Sequence, residues 1–140
     1  MQMVDKEVIQ QKINIIDNNL SKMQILARLP EEEFLNKFFY IEAAKHLLQV
    51  SIEAMLDVSN HIIARKRFRS PKTYAEVFSI LVEQKILPKE KEKNFMQMAK
   101  FRNRVVHLYQ EVDDKEVYKI LRNDLDDFRE FISAIIKALL

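Results

Sequence analysis

Apolar residues recur every three or four positions over nearly the whole chain, which is the spacing of one face of an α-helix; the two-residue alternation of half-buried strands is scarce. The first such stretch covers about residues 4–29, where Val8, Ile9, Ile13, Ile16, Leu20 and Met23 form the stripe and Pro30 stops it. Glu31, Glu32 and Glu33 then complement the dipole at the start of a second helix, about residues 31–65. That helix is apolar on most of its circumference (Phe38, Phe39, Ile41, Ala43, Leu47, Leu48, Val50, Ile52, Ala54, Met55, Val58, Ile62), so it is expected to be buried between neighbours. One polar line, Glu42, Lys45, Gln49, Glu53, Asp57 and Asn60, runs along a single face of it.

A basic loop follows, Arg65-Lys66-Arg67-Phe68-Arg69-Ser70-Pro71-Lys72, and the capping box Thr73-Tyr74-Ala75-Glu76 opens a short third helix ending near Lys85. Pro88 suits the first turn of a fourth helix, about residues 88–110. Asp113 or Asp114 caps a fifth, whose apolar stripe is Val117, Ile120, Leu121, Leu125, Phe128, Ile132, Ile135 and Leu139. Short connections between such helices predict an all-α, up-and-down bundle of four to five helices, forming one domain over residues 1–140.

Composition narrows the chemistry. The 140 residues are 48% apolar, enough for one core without metal or disulfide staples. With no cysteine there is no thiolate nucleophile or thiolate metal site, and with no glycine there is no phosphate-cradling P-loop or dinucleotide turn. The charged N-terminus lacks an apolar signal core and no stretch approaches the ~18 apolar residues of a membrane span, so a soluble, cytoplasmic protein is expected. Against 23 basic residues stand 21 acidic ones, a net charge of +2, so any nucleic-acid contact has to be local.

The local feature is Phe101-Arg102-Asn103-Arg104-Val105-Val106-His107-Leu108-Tyr109. On a helix Met98, Phe101, Val105 and Leu108 share the core face; Arg102 and Tyr109 flank it, and Asn103 and His107 stack on the side turned away. A two-fold homodimer would bring two such polar strips into one shared cleft. Arginine clamps a phosphate with a permanent charge, and histidine moves a proton near neutrality, the two roles needed when RNA is cleaved by its own 2′-hydroxyl. Asn103 is placed to orient the imidazole or contact the phosphate. Neither a metal nor a cofactor is expected in this chemistry.

Arg102-Asn103, three residues, His107, one residue and Tyr109, near the end of a fourth helix, resembles the Arg-x4-His-x-Tyr signature of the HepT toxins within the HEPN superfamily. The segments Asp57-Val58-Ser59-Asn60-His61 on the long helix, the Pro-Lys-Thr-Tyr-Ala-Glu-Val-Phe helix and the Ile86-Leu87-Pro88 link extend the likeness over essentially the whole chain. The resemblance implies a metal-independent endoribonuclease toxin, dimeric and partnered by a minimal nucleotidyltransferase antitoxin. It also implies that this antitoxin transfers AMP to the motif tyrosine, which corresponds to Tyr109.

Other readings stand beside this one. The fold also suits a non-catalytic helical module that binds a nucleotide or substrate for a nucleotidyltransferase, or a scaffold that only dimerises. Asp57 and Asn60 are candidates for lining the groove, although Asp57 and His61 are also spaced as a helix-surface pair. Arg65, Lys66, Arg67 and Arg69 read first as a solvated helix end, and as a sharper expectation they contact RNA phosphates or an acidic antitoxin surface.

Overall fold

The computed structural model describes residues 3–107 and 111–140. Among the described residues the chain forms seven α-helices and no strand: α1 (Lys6–Ala27), α2 (Glu31–Asn36), α3 (Phe38–Lys66), α4 (Tyr74–Glu83), α5 (Glu92–Val106), α6 (Asp114–Asn123) and α7 (Leu125–Leu139), with a 3-10 turn at Lys89–Lys91 ahead of α5. None of these helices is long and apolar enough to cross a membrane. Helix α1 packs along α3 and reaches α6 and α7, while α4 and α5 close the other side of α3.

Local chemistry sets most boundaries. The Asp5 carboxylate accepts the N–H groups of Glu7 and Val8 at 3.0 and 3.2 Å and so starts α1, which buries Ile9, Ile13, Ile16, Leu20 and Met23 as their spacing requires. Thr73 caps α4 through Glu76 N–H at 3.1 Å, and of the two aspartates before α6 it is Asp113 that caps, through Lys115 N–H at 2.9 Å.

Three expected helices are divided or shortened. The stretch 31–65 breaks at Lys37, which is extended (φ −124°, ψ 108°), and this turns Phe34 onto Tyr118 of α6 with ring centroids 5.2 Å apart. Tyr118 also donates its hydroxyl to the Leu29 carbonyl at 2.6 Å, pinning the α1–α2 link to α6. Phe38 and Phe39, expected inside, are 75% and 52% exposed and pack edge-on against each other, ring centroids 5.7 Å apart, in the first turn after the bend. The fifth expected helix is two, α6 and α7, parted at Asp124 (φ −116°, ψ 3°). Pro88 precedes a 3-10 turn rather than α5 itself, and α5 ends at Val106.

A chain without glycine has to place other residues in the left-handed region where helices end. Arg67 (φ 57°) and Lys85 (φ 60°) occupy those positions. Behind Lys85, Ile86 N–H bonds the Leu81 carbonyl at 2.9 Å and Lys85 N–H the Val82 carbonyl at 3.0 Å, the paired bonds that stop a helix at such a residue. Left-handed backbone costs a residue with a Cβ about 1–2 kcal/mol. Lys85→Gly is therefore expected to stabilise the fold by about 0.5–1 kcal/mol after glycine's larger unfolded entropy is subtracted, read as a higher urea midpoint at unchanged slope.

Candidate active site

Arg102, on the last turns of α5, is held from three directions. Its Nε and Nη2 donate to Glu53 Oε2 of α3 at 3.0 and 2.7 Å, and its Nη1 donates to Asn103 Oδ1 at 3.3 Å. Its guanidinium lies over the ring of Tyr74, the first residue of α4, 5.1 Å from the centroid. The side chain is 19% exposed. A guanidinium has five N–H donors, and three are engaged here, which leaves one on each terminal nitrogen, the pair with which an arginine grips a phosphate. Glu53 offsets the positive charge while it fixes the orientation.

Beside this cluster opens a cleft of about 340 Å³ lined by Asn60 of α3, Pro71, Lys72 and Thr73 of the preceding loop, Tyr74 and Val77 of α4, and Asn103 of α5. Val77 is buried, while Tyr74, Lys72 and Asn60 are exposed. The cleft thus has an apolar floor, an aromatic wall, two side-chain amides and one ammonium group.

Of the residues singled out in the sequence, Arg102, Asn103 and Asn60 converge on this face. His107 is the exposed C-terminal cap of α5, in extended conformation (φ −87°, ψ 114°), and its N–H donates to the Asn103 carbonyl at 3.2 Å. This backbone bond joins Asn103 and His107 at the helix end. Tyr109 and Leu108 lie outside the described residues. Asp57 pairs with Lys12 of α1 at 3.0 Å, in place of the helix-surface pair with His61. His61 Nε2 instead accepts the Asp5 N–H at 3.0 Å.

The basic loop is less open than its sequence suggests. Arg69 is bound to Glu83 through Nε and Nη2 at 3.0 and 2.6 Å and also to Glu76, and these hydrogen bonds push its pKa above the ordinary arginine value. It is a clasp between the loop and α4. Arg67 takes the left-handed position after α3, and Arg65 and Lys66 fall in the last turn of that helix, where cations offset the dipole. Sequence reading passed over Glu53, which it saw only as one member of a polar line, and over Tyr74 and Lys72, which it placed in a capping box and a loop.

A larger cavity, about 510 Å³, lies on the opposite side of α5, floored by Leu48, Ile52, Phe101 and Phe128. Of its lining charges, Arg104 pairs with Glu116 at 2.5 Å and the nearly buried Asp127 pairs with Lys91 at 3.1 Å, while Lys93, Lys119 and Asp124 also line it. Burial raises Asp124 above the usual carboxylate range, with the charge of Asp127 adding to the effect. Arg102 is on the far side, so the smaller cleft is the one that adjoins the phosphate-type donors.

Residues 16–135 match the family model described as Ribonuclease HepT-like. An mRNA nuclease HepT of Shewanella oneidensis is 31% identical over 63% of this chain and 66% of its own length. A tRNA nuclease HepT of Aphanizomenon flos-aquae is 23% identical over 94% of this chain and 90% of its own. Among solved structures, a tri-AMPylated HEPN toxin of Shewanella oneidensis in complex with MNT antitoxin superposes with a TM-score of 0.85 at 27% identity, covering 94% of this chain and 97% of the toxin.

Proposed function

The chain belongs to the HepT-like ribonuclease family, and from that premise we propose that it is a metal-independent endoribonuclease, the toxin of a toxin–antitoxin pair. The observation that carries this reading is Arg102, oriented by Glu53 and Asn103 with a donor left on each terminal nitrogen beside an open cleft. In the proposed reaction the RNA 2′-oxygen attacks the adjacent phosphorus as the bond to the 5′-oxygen breaks, leaving a 2′,3′-cyclic phosphate and a 5′-hydroxyl. Arg102 holds the non-bridging oxygens and takes up the charge that builds on them. His107 moves a proton, either from the attacking hydroxyl or to the departing oxygen, and Asn103 keeps Arg102 and the end of α5 in register.

Two copies pair so that their α5 helices face one cleft, supplying a second histidine for the other proton transfer. The minimal nucleotidyltransferase that partners such toxins is the proposed antitoxin here, with Tyr109 as the acceptor of AMP; an anionic nucleotide there would compete for Arg102. One observation favours a second reading, a non-catalytic nucleotide-binding module: the cleft beside Arg102 is lined by the Tyr74 ring, Val77 and the amides of Asn60 and Asn103, groups that suit a nucleotide's base without any proton transfer.

Incubating the purified, unmodified dimer with mixed tRNA and mRNA in EDTA separates the two readings. Cleavage with cyclic-phosphate ends that survives chelation is the expected result. Intact RNA under the same conditions would leave the binding module as the better account.

A further inference from the structure

We propose that the cleft between Tyr74, Val77, Asn60 and Asn103 receives one unstacked base of single-stranded RNA, next to the phosphate gripped by Arg102. The inference rests on the ribonuclease reading and adds the substrate class of the site. At about 340 Å³ the cleft falls at the small end of ligand pockets, about 300–1,000 Å³. A base needs an apolar or aromatic surface for its flat face and hydrogen-bonding groups at its edge, and the lining divides in that way. Tyr74, Pro71 and Val77 supply the surface; Asn60 and Asn103 supply amides. Asn103 accepts Arg102 Nη1–H on Oδ1, which turns its NH2 end into the donor for a ligand. Lys72 stands at the rim, where the next phosphate of a strand would run.

Tyr74 as a residue is 46% exposed although its ring already carries Arg102, so one side chain joins the phosphate site to the base site. A duplex keeps its bases stacked inside and offers none to the cleft. The site therefore selects single strands, loops and ends over paired RNA.

The test measures fluorescence anisotropy with a labelled 12-nucleotide single-stranded RNA, the same RNA as a blunt duplex, and a strand with abasic sites at its centre. It uses the full chain carrying His107→Ala to prevent cutting. Tyr74→Ala is expected to weaken single-strand binding about tenfold or more and to weaken duplex and abasic binding by a much smaller factor, through the loosened seat of Arg102, while Tyr74→Phe binds as the parent does. Equal affinity of Tyr74→Ala and its parent for the single strand would overturn the base site. An equal loss on the abasic strand would overturn it too, since Tyr74 would then act only by seating Arg102. Cleavage by the unsubstituted protein without any dependence on Tyr74 would spare the ribonuclease reading alone. Tyr74-dependent binding with no cleavage would spare the base site alone, and no binding of single strands would remove both.

Discussion

His107→Ala is expected to lower RNA cleavage by about two to four orders of magnitude, the usual contribution of a positioned general acid or base, while leaving the fold unchanged. The side chain is exposed at the end of α5, and the bond that ends the helix is made by the His107 backbone N–H, which alanine keeps. On the proposed mechanism a substitution there removes the proton carrier while the helix-ending bond stays in place. Arg102→Ala should cost as much activity by a different route, because on the proposed mechanism it removes the phosphate grip and also takes the charged partner from the half-buried Glu53, leaving it only the Gln49 amide at 3.4 Å. Arg102→Lys should rescue little: an ammonium keeps the charge but cannot reproduce the planar fork shared among Glu53, Asn103 and a phosphate. Initial rates on one RNA, with circular dichroism and a urea midpoint for each variant, check both. A His107→Ala protein that cuts within threefold of the unsubstituted one would remove His107 from the reaction, and an Arg102→Lys protein that cuts as well would reduce Arg102 to a simple charge.

The all-helical fold was legible because apolar spacing is a local property, and so were the starts of α4 and α6, where Thr73 and Asp113 act on backbone groups two or three residues away. The bends were not. Phe34 and Ile41 are seven residues apart, so the helical pattern runs through Lys37 without a fault, and only the fit of Phe34 against Tyr118 reveals the break. Leu121, Leu125 and Phe128 carry the pattern through Asp124 in the same way. At the end of α5 a weak signal existed: the β-branched pair Val105-Val106 lowers helix propensity where the helix stops.

The candidate site divides along the same line. Arg102 and Asn103 are adjacent in the chain and point to a phosphate by their chemistry alone. Glu53 is 49 residues from Arg102, and Tyr74 comes from a different helix; nothing in spacing joins them until α3, α4 and α5 are packed. The same holds for the basic loop, where Arg69 resembled an open cation until α4 brought Glu76 and Glu83 beneath it.

Helices α4 and α5 are locked to each other and to α7 by the aromatic trio Phe78, Phe95 and Phe131, with centroids 5.9, 6.1 and 6.0 Å apart and every ring fully buried. Phe95→Ala is expected to destabilise the protein by about 3–5 kcal/mol, the lost transfer energy of the ring plus the cavity it leaves. Domains of this size hold about 5–15 kcal/mol in all, so a large share of the stability goes with one ring. Phe38→Ala, at a phenylalanine that is 75% exposed, should change stability by no more than about 0.5 kcal/mol. Urea unfolding of the two variants in parallel measures the contrast, and a cost below about 1 kcal/mol at Phe95 would mean that the trio is not what seats α5. Phe95 lies seven residues before Arg102 on the same helix, so this variant should lose cleavage through its fold. His107→Ala should lose it at an unchanged urea midpoint, and the comparison of the two separates a damaged scaffold from a missing proton carrier.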